Sequence, residues 1–289
     1  MATHPEQTSA NADQLEYWNS DPGRKWIAFE DGLDAAFQEV SDRLFERAQP
    51  AAGEQVLDIG CGTGATTMAL SSRVGANGRA VGIDISEPLL ARAQERRSTA
   101  DIEHLDYQLA DAQTHAFGPS SFHLMTSRFG VMFFEDPVAA FRNLFGALRN
   151  IGRMSFVSWA PVPGNPWFEV PRDAAVARMG KPSPTSPRAP GPLAFADREY
   201  VLEILRDAGF SQCVGDVETV NLHYPGAVED VAYLASNIGP AVRIVREHGG
   251  DAEDLAEIGK ETTRGFEQYV VEDGVRIPAI LNFFDAVKL

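Results

Sequence analysis

The sequence predicts an α/β fold with a doubly wound parallel sheet, on two observations. Short apolar strands alternate with helical patterns five times between residues 50 and 160, joined by short loops. Such alternation places parallel strands in one sheet with helices on both faces. The first strand also runs into a glycine turn that opens a helix, as in open sheets that bind a ligand at their strand ends.

Each element has its own signal. Leu33, Phe37, Val40, Leu44 and Phe45 recur at helical spacing within 14–49, and Pro50 ends the run. Gln55–Ile59 reads as the first strand, Gly60–Gly64 as the glycine turn and Ala65–Val74 as a helix stopped by Gly75 and Gly78. Ala80–Ile85 is the second strand. Ser86 caps a helix with Pro88 in its first turn, running to about Ser98. Tyr107–Ala110 and Phe122–Ser127 are strands three and four. Asp136-Pro137 starts a helix with Val138, Phe141, Leu144, Phe145 and Leu148 on one face, and Arg153–Trp159 is strand five. The alternation then breaks. Trp167–Met179 reads as a short helix before a loop with five prolines between Lys181 and Pro192. Asp197 caps a helix stopped by Gly209, Cys213–Tyr224 is strand six, 226–268 is helical, and Pro278 precedes a last strand at Ala279–Val287.

With 289 residues the chain can bury a large core without disulfides, and its two cysteines, Cys61 and Cys213, suit a reducing compartment. The first 13 residues are polar, lack the apolar run of a signal peptide and read as disordered; no stretch is long and apolar enough for a membrane span. The formal net charge of −16 opposes binding to duplex nucleic acid or to an anionic membrane. A cytoplasmic enzyme acting on a small molecule is the expectation. The sequence leaves the oligomeric state open.

The chemistry-bearing signal is Val56-Leu57-Asp58-Ile59-Gly60-Cys61-Gly62-Thr63-Gly64. Glycines there allow positive φ and close approach of a ligand to the backbone, beside the free N–H groups of a helix start. Gly60, Gly62 and Ala65 also satisfy the dinucleotide pattern, so the turn alone does not choose a cofactor. Asp58 is expected to choose: a carboxylate facing the turn would repel a pyrophosphate and welcome an ammonium group. Asp84 follows Gly64 by 20 residues at the end of strand two, where a carboxylate can accept both ribose hydroxyls. Asp111 follows strand three and can accept from an adenine amino group. Three acids at three consecutive strand ends converge on one crevice.

Asp58-Ile-Gly-Cys-Gly-Thr-Gly, Gly82-Ile-Asp84-Ile-Ser and Ala110-Asp111-Ala112 resemble the three cofactor motifs of class I S-adenosylmethionine-dependent methyltransferases. Ser127-Arg128-Phe129-Gly130-Val131-Met132-Phe133-Phe134-Glu135-Asp136-Pro137 is similar to the segment after strand four in a bacterial small-molecule branch, related to the ubiquinone and menaquinone methyltransferases. The resemblance covers residues 15–160 well and the remainder in outline. It implies a Rossmann-like sheet of seven strands, the last antiparallel. It also implies a tail with lid helices at 1–49, a cofactor-binding core at 50–160, a lid insertion at 161–196, and the rest of the sheet at 197–289 with a helical insertion at 226–268. The cofactor would be S-adenosylmethionine, leaving as S-adenosylhomocysteine, and no metal would be needed. Asp58, Gly60, Cys61, Gly62, Thr63, Gly64, Asp84, Ile85, Asp111, Ala112 and Ser127 would form its site. Gly23-Arg24-Lys25-Trp26 resembles a lid that would put Trp26 over the methionine end. His123 stands where the family often has an acid, and Asn150-Ile151-Gly152 replaces a more usual Pro-Gly-Gly turn; both lie away from the cofactor end.

The acceptor is less legible, because its site needs shape more than fixed groups. Tyr17, Trp18, Arg128, Phe129, Met132, Phe133, Trp159 and Trp167 are the candidate pocket wall, although large aromatics more often fill cores. No histidine stands out as a base. His223 and Tyr224 at the end of strand six, and Arg128, are the catalytic candidates, while His115 could approach the adenine side. Cys61 reads as small filler. The expected reaction is in-line methyl transfer to a small organic acceptor through O, N, S or C. Two other readings stay open: a nicotinamide-dependent oxidoreductase, and a protein that binds S-adenosylmethionine without catalysis.

Overall fold

The computed structural model describes residues 10–289. Four helices come first: α1 (Ala12–Trp18), α2 (Asp21–Ala28), α3 (Glu30–Ala36) and α4 (Gln38–Ala48). The alternating region follows as β1 (Gln55–Ile59), α5 (Ala65–Val74), β2 (Arg79–Asp84), α6 (Glu87–Ala100), β3 (Leu105–Leu109), β4 (Phe122–Arg128), α7 (Pro137–Ala147) and β5 (Leu148–Trp159). Then come α8 (Pro166–Met179), α9 (Arg198–Asp207), β6 (Ser211–Tyr224), α10 (Val228–Asn237), α11 (Pro240–Glu247), α12 (Ala252–Phe266), β7 (Val270–Val271) and β8 (Gly274–Val287).

The strand order is β3-β2-β1-β4-β5-β8-β6, with the two-residue β7 paired to β8 outside that path. The first five strands are mutually parallel and β8 is antiparallel to both neighbours, as the seven-stranded expectation required. The order reverses between β1 and β4. Their connections leave toward opposite sheet faces, so a crevice opens at the carboxyl ends of these strands. Phe141, Phe156, Phe195, Phe283 and Phe284 are fully buried in the centre, with Phe156 stacked on Phe284 at 4.9 Å.

The caps form as the sequence suggests: Ser86 Oγ accepts from the Leu89 N–H, Asp136 from Ala139, and Asp197 from Glu199 and Tyr200. Several boundaries move. The helical pattern of 14–49 is four helices, and it starts at Ala12, inside the stretch expected to be disordered; residues 1–9 of that stretch lie outside the described residues. The fifth strand begins at Leu148, and Ile151, expected in a turn, sits within it at φ +64°. The last strand begins at Gly274, so Pro278 lies inside it. Proline is tolerated there for a geometric reason. Ile280, two residues on, points its N–H away from β6, into Asn165 Oδ1, and Pro278 shares that direction. Pairing of β8 with β5 starts only at Leu281, so no strand waits for the missing donor.

The expected lid helix is part of a larger cap. α8 packs on α11 and α12 through Ala175, Ala241, Ile244, Val245 and Ile258, which form a small second core. The N-terminal end of α8 buries Trp167 and Phe168 in the main core.

Candidate active site

The glycine turn leaves β1 with Gly60 at φ +65°, Gly62 at +56° and Gly64 at +87°, values that side chains resist. The Gly60 and Cys61 N–H groups donate to the Ile83 carbonyl at 2.8 and 3.2 Å, tying the turn to β2. A Cβ on Gly60 would fall 2.6 Å from Gly130 Cα, and one on Gly130 would fall 2.5 Å from the Ile59 carbonyl oxygen. Two backbones touch here, and Ser127 holds them: its Oγ donates to the Ile59 carbonyl at 2.7 Å and accepts from the Gly130 and Val131 N–H groups. Gly130→Ala is therefore expected to cost about 2 kcal/mol in urea unfolding, the usual penalty of overpacking against atoms that cannot rotate aside.

Above this turn lies a cavity of about 910 Å³ counting its open mouth. Gly60, Cys61, Gly62, Thr63, Asp84, Ile85, Asp111, Ala112 and Trp26 line it, as the sequence leads one to expect. So do Trp18, Arg128, Phe129 and Phe133. Asp84 Oδ2 accepts the Gly62 N–H at 2.8 Å and Oδ1 the Ser86 N–H at 2.9 Å, and burial pushes its carboxyl up against the pull of those bonds. Asp111 accepts from the Gln113 N–H and from Asn11 Nδ2. Arg128 is largely buried, donates to Ser41 Oγ at 2.9 Å and lies 3.8 Å from Asp34. It pairs with neither Glu135 nor Asp136, and burial lowers its pKa.

This geometry sits in a chain whose residues 56–152 match the model of the methyltransferase domain family. The chain is 33% identical over 122 residues to an aklanonic acid methyltransferase of Streptomyces sp., covering 42% of this chain and 56% of that protein. It is 31% identical over 209 residues to a nocamycin O-methyltransferase of Saccharothrix syringae, covering 70% and 75% of the two chains. The chain belongs to the class I S-adenosylmethionine-dependent methyltransferases of small-molecule type. A ubiquinone/menaquinone biosynthesis C-methyltransferase of Xylella fastidiosa is 30% identical over 148 residues, 50% of this chain and 58% of that one, in keeping with the expected branch. The fold agrees with a SAM-dependent methyltransferase from Aquifex aeolicus, at a TM-score of 0.53 and 13% identity over 93% of this chain and all of that one. The nicotinamide reading falls with these relatives.

The expected ligand contact of Asp58 is not what the structure shows. Asp58 does not line the methyltransferase's cavity. It is buried behind the turn, where its carboxylate accepts from the hydroxyls of Thr66 (2.6 Å), Thr67 (2.7 Å) and Thr126 (3.4 Å). Burial pushes its pKa up and these hydroxyls draw it down. Gly64 and Ser127 are structural as well: a Cβ on Gly64 would meet Tyr107 Oη at 2.1 Å, and the Ser127 hydroxyl is spent on backbone. Burial holds the Cys61 thiol well above its usual pKa, which disfavours its nucleophilic form.

Several acceptor candidates are also displaced. Met132, Trp159 and Trp167 are core residues; Trp159 stacks on Phe129 at 5.0 Å, and Trp167 packs on Phe37. Tyr17 lines a different cavity. His223 Nε2 lies 3.1 Å from the Asp273 carbonyl oxygen, and the Tyr224 ring packs against Gly32 and Gly226; neither reaches the main cavity. His115 contacts Gln108 and Phe117 instead of the cavity, and His123 is held between the Gln55 N–H and Arg149 at the opposite end of its strand. Phe134 lines the cavity as well.

Asn11 was missed altogether. It sits at φ +57°, joins Asp111 through Nδ2, and exchanges two hydrogen bonds with Glu135 at 2.9 and 2.7 Å. It closes the cavity at the Asp111 end. A lone asparagine in a polar tail gives no sequence signal for that role.

Proposed function

We propose that this methyltransferase methylates an acidic oxygen of a small organic acceptor. When bound, S-adenosylmethionine supplies a methyl already activated on a sulfonium, so neither a metal nor a covalent intermediate is required. Asp84 is the acceptor for the ribose hydroxyls, the turn Gly60–Thr63 carries the amino-acid end beneath Trp26, and Asp111 with Ala112 borders the adenine. Arg128, the one cation among the described residues lining that cavity, would meet the carboxylate of the amino-acid end. The helices before residue 50 and the segment 161–196 serve as lids that exclude water.

The observation that carries the choice of an acidic acceptor is the cavity wall. Among the described residues it holds no histidine, lysine or tyrosine. Its two carboxylates are committed, Asp84 to two backbone N–H groups and Asp111 to Asn11 and the Gln113 N–H. With none of these bases on the described wall, a nucleophile already ionised near neutral pH is favoured over one that must lose a proton as it reacts. A carboxyl group, or an enol flanked by carbonyls, meets that condition, whereas an alcohol does not. The names of two relatives, an aklanonic acid methyltransferase and a nocamycin O-methyltransferase, point the same way.

The test is a panel of aromatic and polyketide-like acids with their corresponding alcohols, S-adenosylhomocysteine release being measured. Turnover on the acids alone, giving esters that mild alkali cleaves, is the expected result. Alkali-stable C-methylated or N-methylated products would overturn the assignment.

A further inference from the structure

A second cavity, about 640 Å³ counting its open mouth, lies between α1–α2 and the cap helices α10–α11. Trp18 and Trp26 belong to both cavities, with rings 5.9 Å apart and nearly perpendicular. The two indoles are therefore the partition between the cofactor cavity and this vestibule. The vestibule is basic in a chain that is otherwise strongly acidic: Lys25, Arg243 and Arg246 line it, against one carboxylate, Asp21.

The charges are not equally committed. Asp21 is paired with Arg24 at 3.2 Å. Arg243 donates to the Ser183 carbonyl at 2.7 Å and lies 3.7 Å from Glu247, so it anchors the proline-rich loop. Lys25 and Arg246 make no salt bridge or side-chain hydrogen bond among the described residues. Arg246 also stands close to Tyr17: burial raises the pKa of that phenol and the guanidinium pulls it back. Two cations with no partner among the described residues, beside aromatic faces in a concave site, are suited to a flat molecule with an anionic end.

We propose that the vestibule holds an aromatic carboxylate, its anionic group on Lys25 and Arg246 and its ring against Trp18 and Trp26. The inference rests on the acidic-acceptor reading above and sharpens it. The acceptor carries a second anionic group, remote from the oxygen that is methylated, and spans the indole partition. Such a group would be drawn in by a local positive field within a protein whose net charge of −16 repels anions elsewhere.

The probe is 2-naphthoate, compared with the isosteric neutral 2-naphthamide. S-adenosylhomocysteine binding is titrated first, and each probe is then titrated calorimetrically into the whole protein both without and with S-adenosylhomocysteine. The carboxylate is expected to bind about tenfold more tightly than the amide, and its advantage to shrink in high salt. The Lys25→Ala/Arg246→Ala double variant should bind both alike. Its S-adenosylhomocysteine affinity should match that of the parent, which shows that the variant is folded. Equal binding of the two probes by the parent protein, or a carboxylate preference that survives in the double variant, overturns the proposal. A parent protein that fails to bind S-adenosylhomocysteine yet prefers the carboxylate would instead strike the cofactor site and leave the vestibule standing.

Discussion

Asp84→Ala is expected to abolish the rise in melting temperature that S-adenosylhomocysteine gives, with affinity falling about a hundredfold or more. The carboxylate has two tasks. It accepts the N–H groups of Gly62 and Ser86, which pins the glycine turn to the start of α6, and it lines the cavity where the proposed site would put the ribose hydroxyls. Each charge-assisted hydrogen bond contributes about 1.5–3 kcal/mol, and about 1.4 kcal/mol is a factor of ten in affinity. Losing a pair of such bonds to the ligand therefore accounts for two or more decades, before the slackened turn is counted. Asp84→Asn keeps the shape and one acceptor oxygen, so it should fall between the two. Acid should act in the same direction. Burial raises the carboxyl's pKa, so the ionised form that accepts hydrogen bonds is lost on acidification sooner than for an exposed aspartate. Affinity for S-adenosylhomocysteine should thus be full above that pKa and fall as the pH drops through it. A normal thermal shift in the alanine variant would remove Asp84 from the site.

The sequence carried the sheet further than it carried the acceptor site, for physical reasons visible in single residues. A parallel strand buried on both faces is a short apolar run, and a helix start needs a cap, so Gln55–Ile59, Ala65–Val74 and the caps at Ser86, Asp136 and Asp197 could be read locally. Asp84 and Asp111 were legible because a strand end fixes the crevice they face. Trp159 and Trp167 were not, because their surroundings are distant in sequence: Phe129 and Phe37 fill the space in which an acceptor was expected. His223 and Tyr224 sit on β6 at the sheet edge, four places from β1 in the strand order, a distance that only the topology reveals. The vestibule cations Lys25 and Arg246 are brought together by the cap, 221 positions apart in the chain.

Asp58 is the instructive case, and its variants separate two roles. If its charge met the ligand's ammonium, Asp58→Asn would weaken S-adenosylhomocysteine binding while leaving the fold as stable as before. The observed bonds require another outcome. Thr66 and Thr67 occupy the first turn of α5 and Thr126 lies on β4, so the carboxylate clamps the helix and the neighbouring strand to the end of β1. Asp58→Ala strands three buried hydroxyls and leaves a void. At about 1 kcal/mol or more for each unsatisfied group, the loss should reach about 3 kcal/mol in urea unfolding, with weaker cofactor binding following from a looser turn. Asp58→Asn retains an acceptor oxygen for the hydroxyls and removes a charge that burial disfavours, so it should keep most of the stability and most of the affinity. The two hydroxyls in Gly64-Ala65-Thr66-Thr67 were in plain view as partners for that acid. An aspartate followed by a glycine turn and a Thr-Thr pair is thus as consistent with an internal clamp as with a ligand contact. An asparagine variant that is fully stable yet unable to bind S-adenosylhomocysteine would restore the contact role.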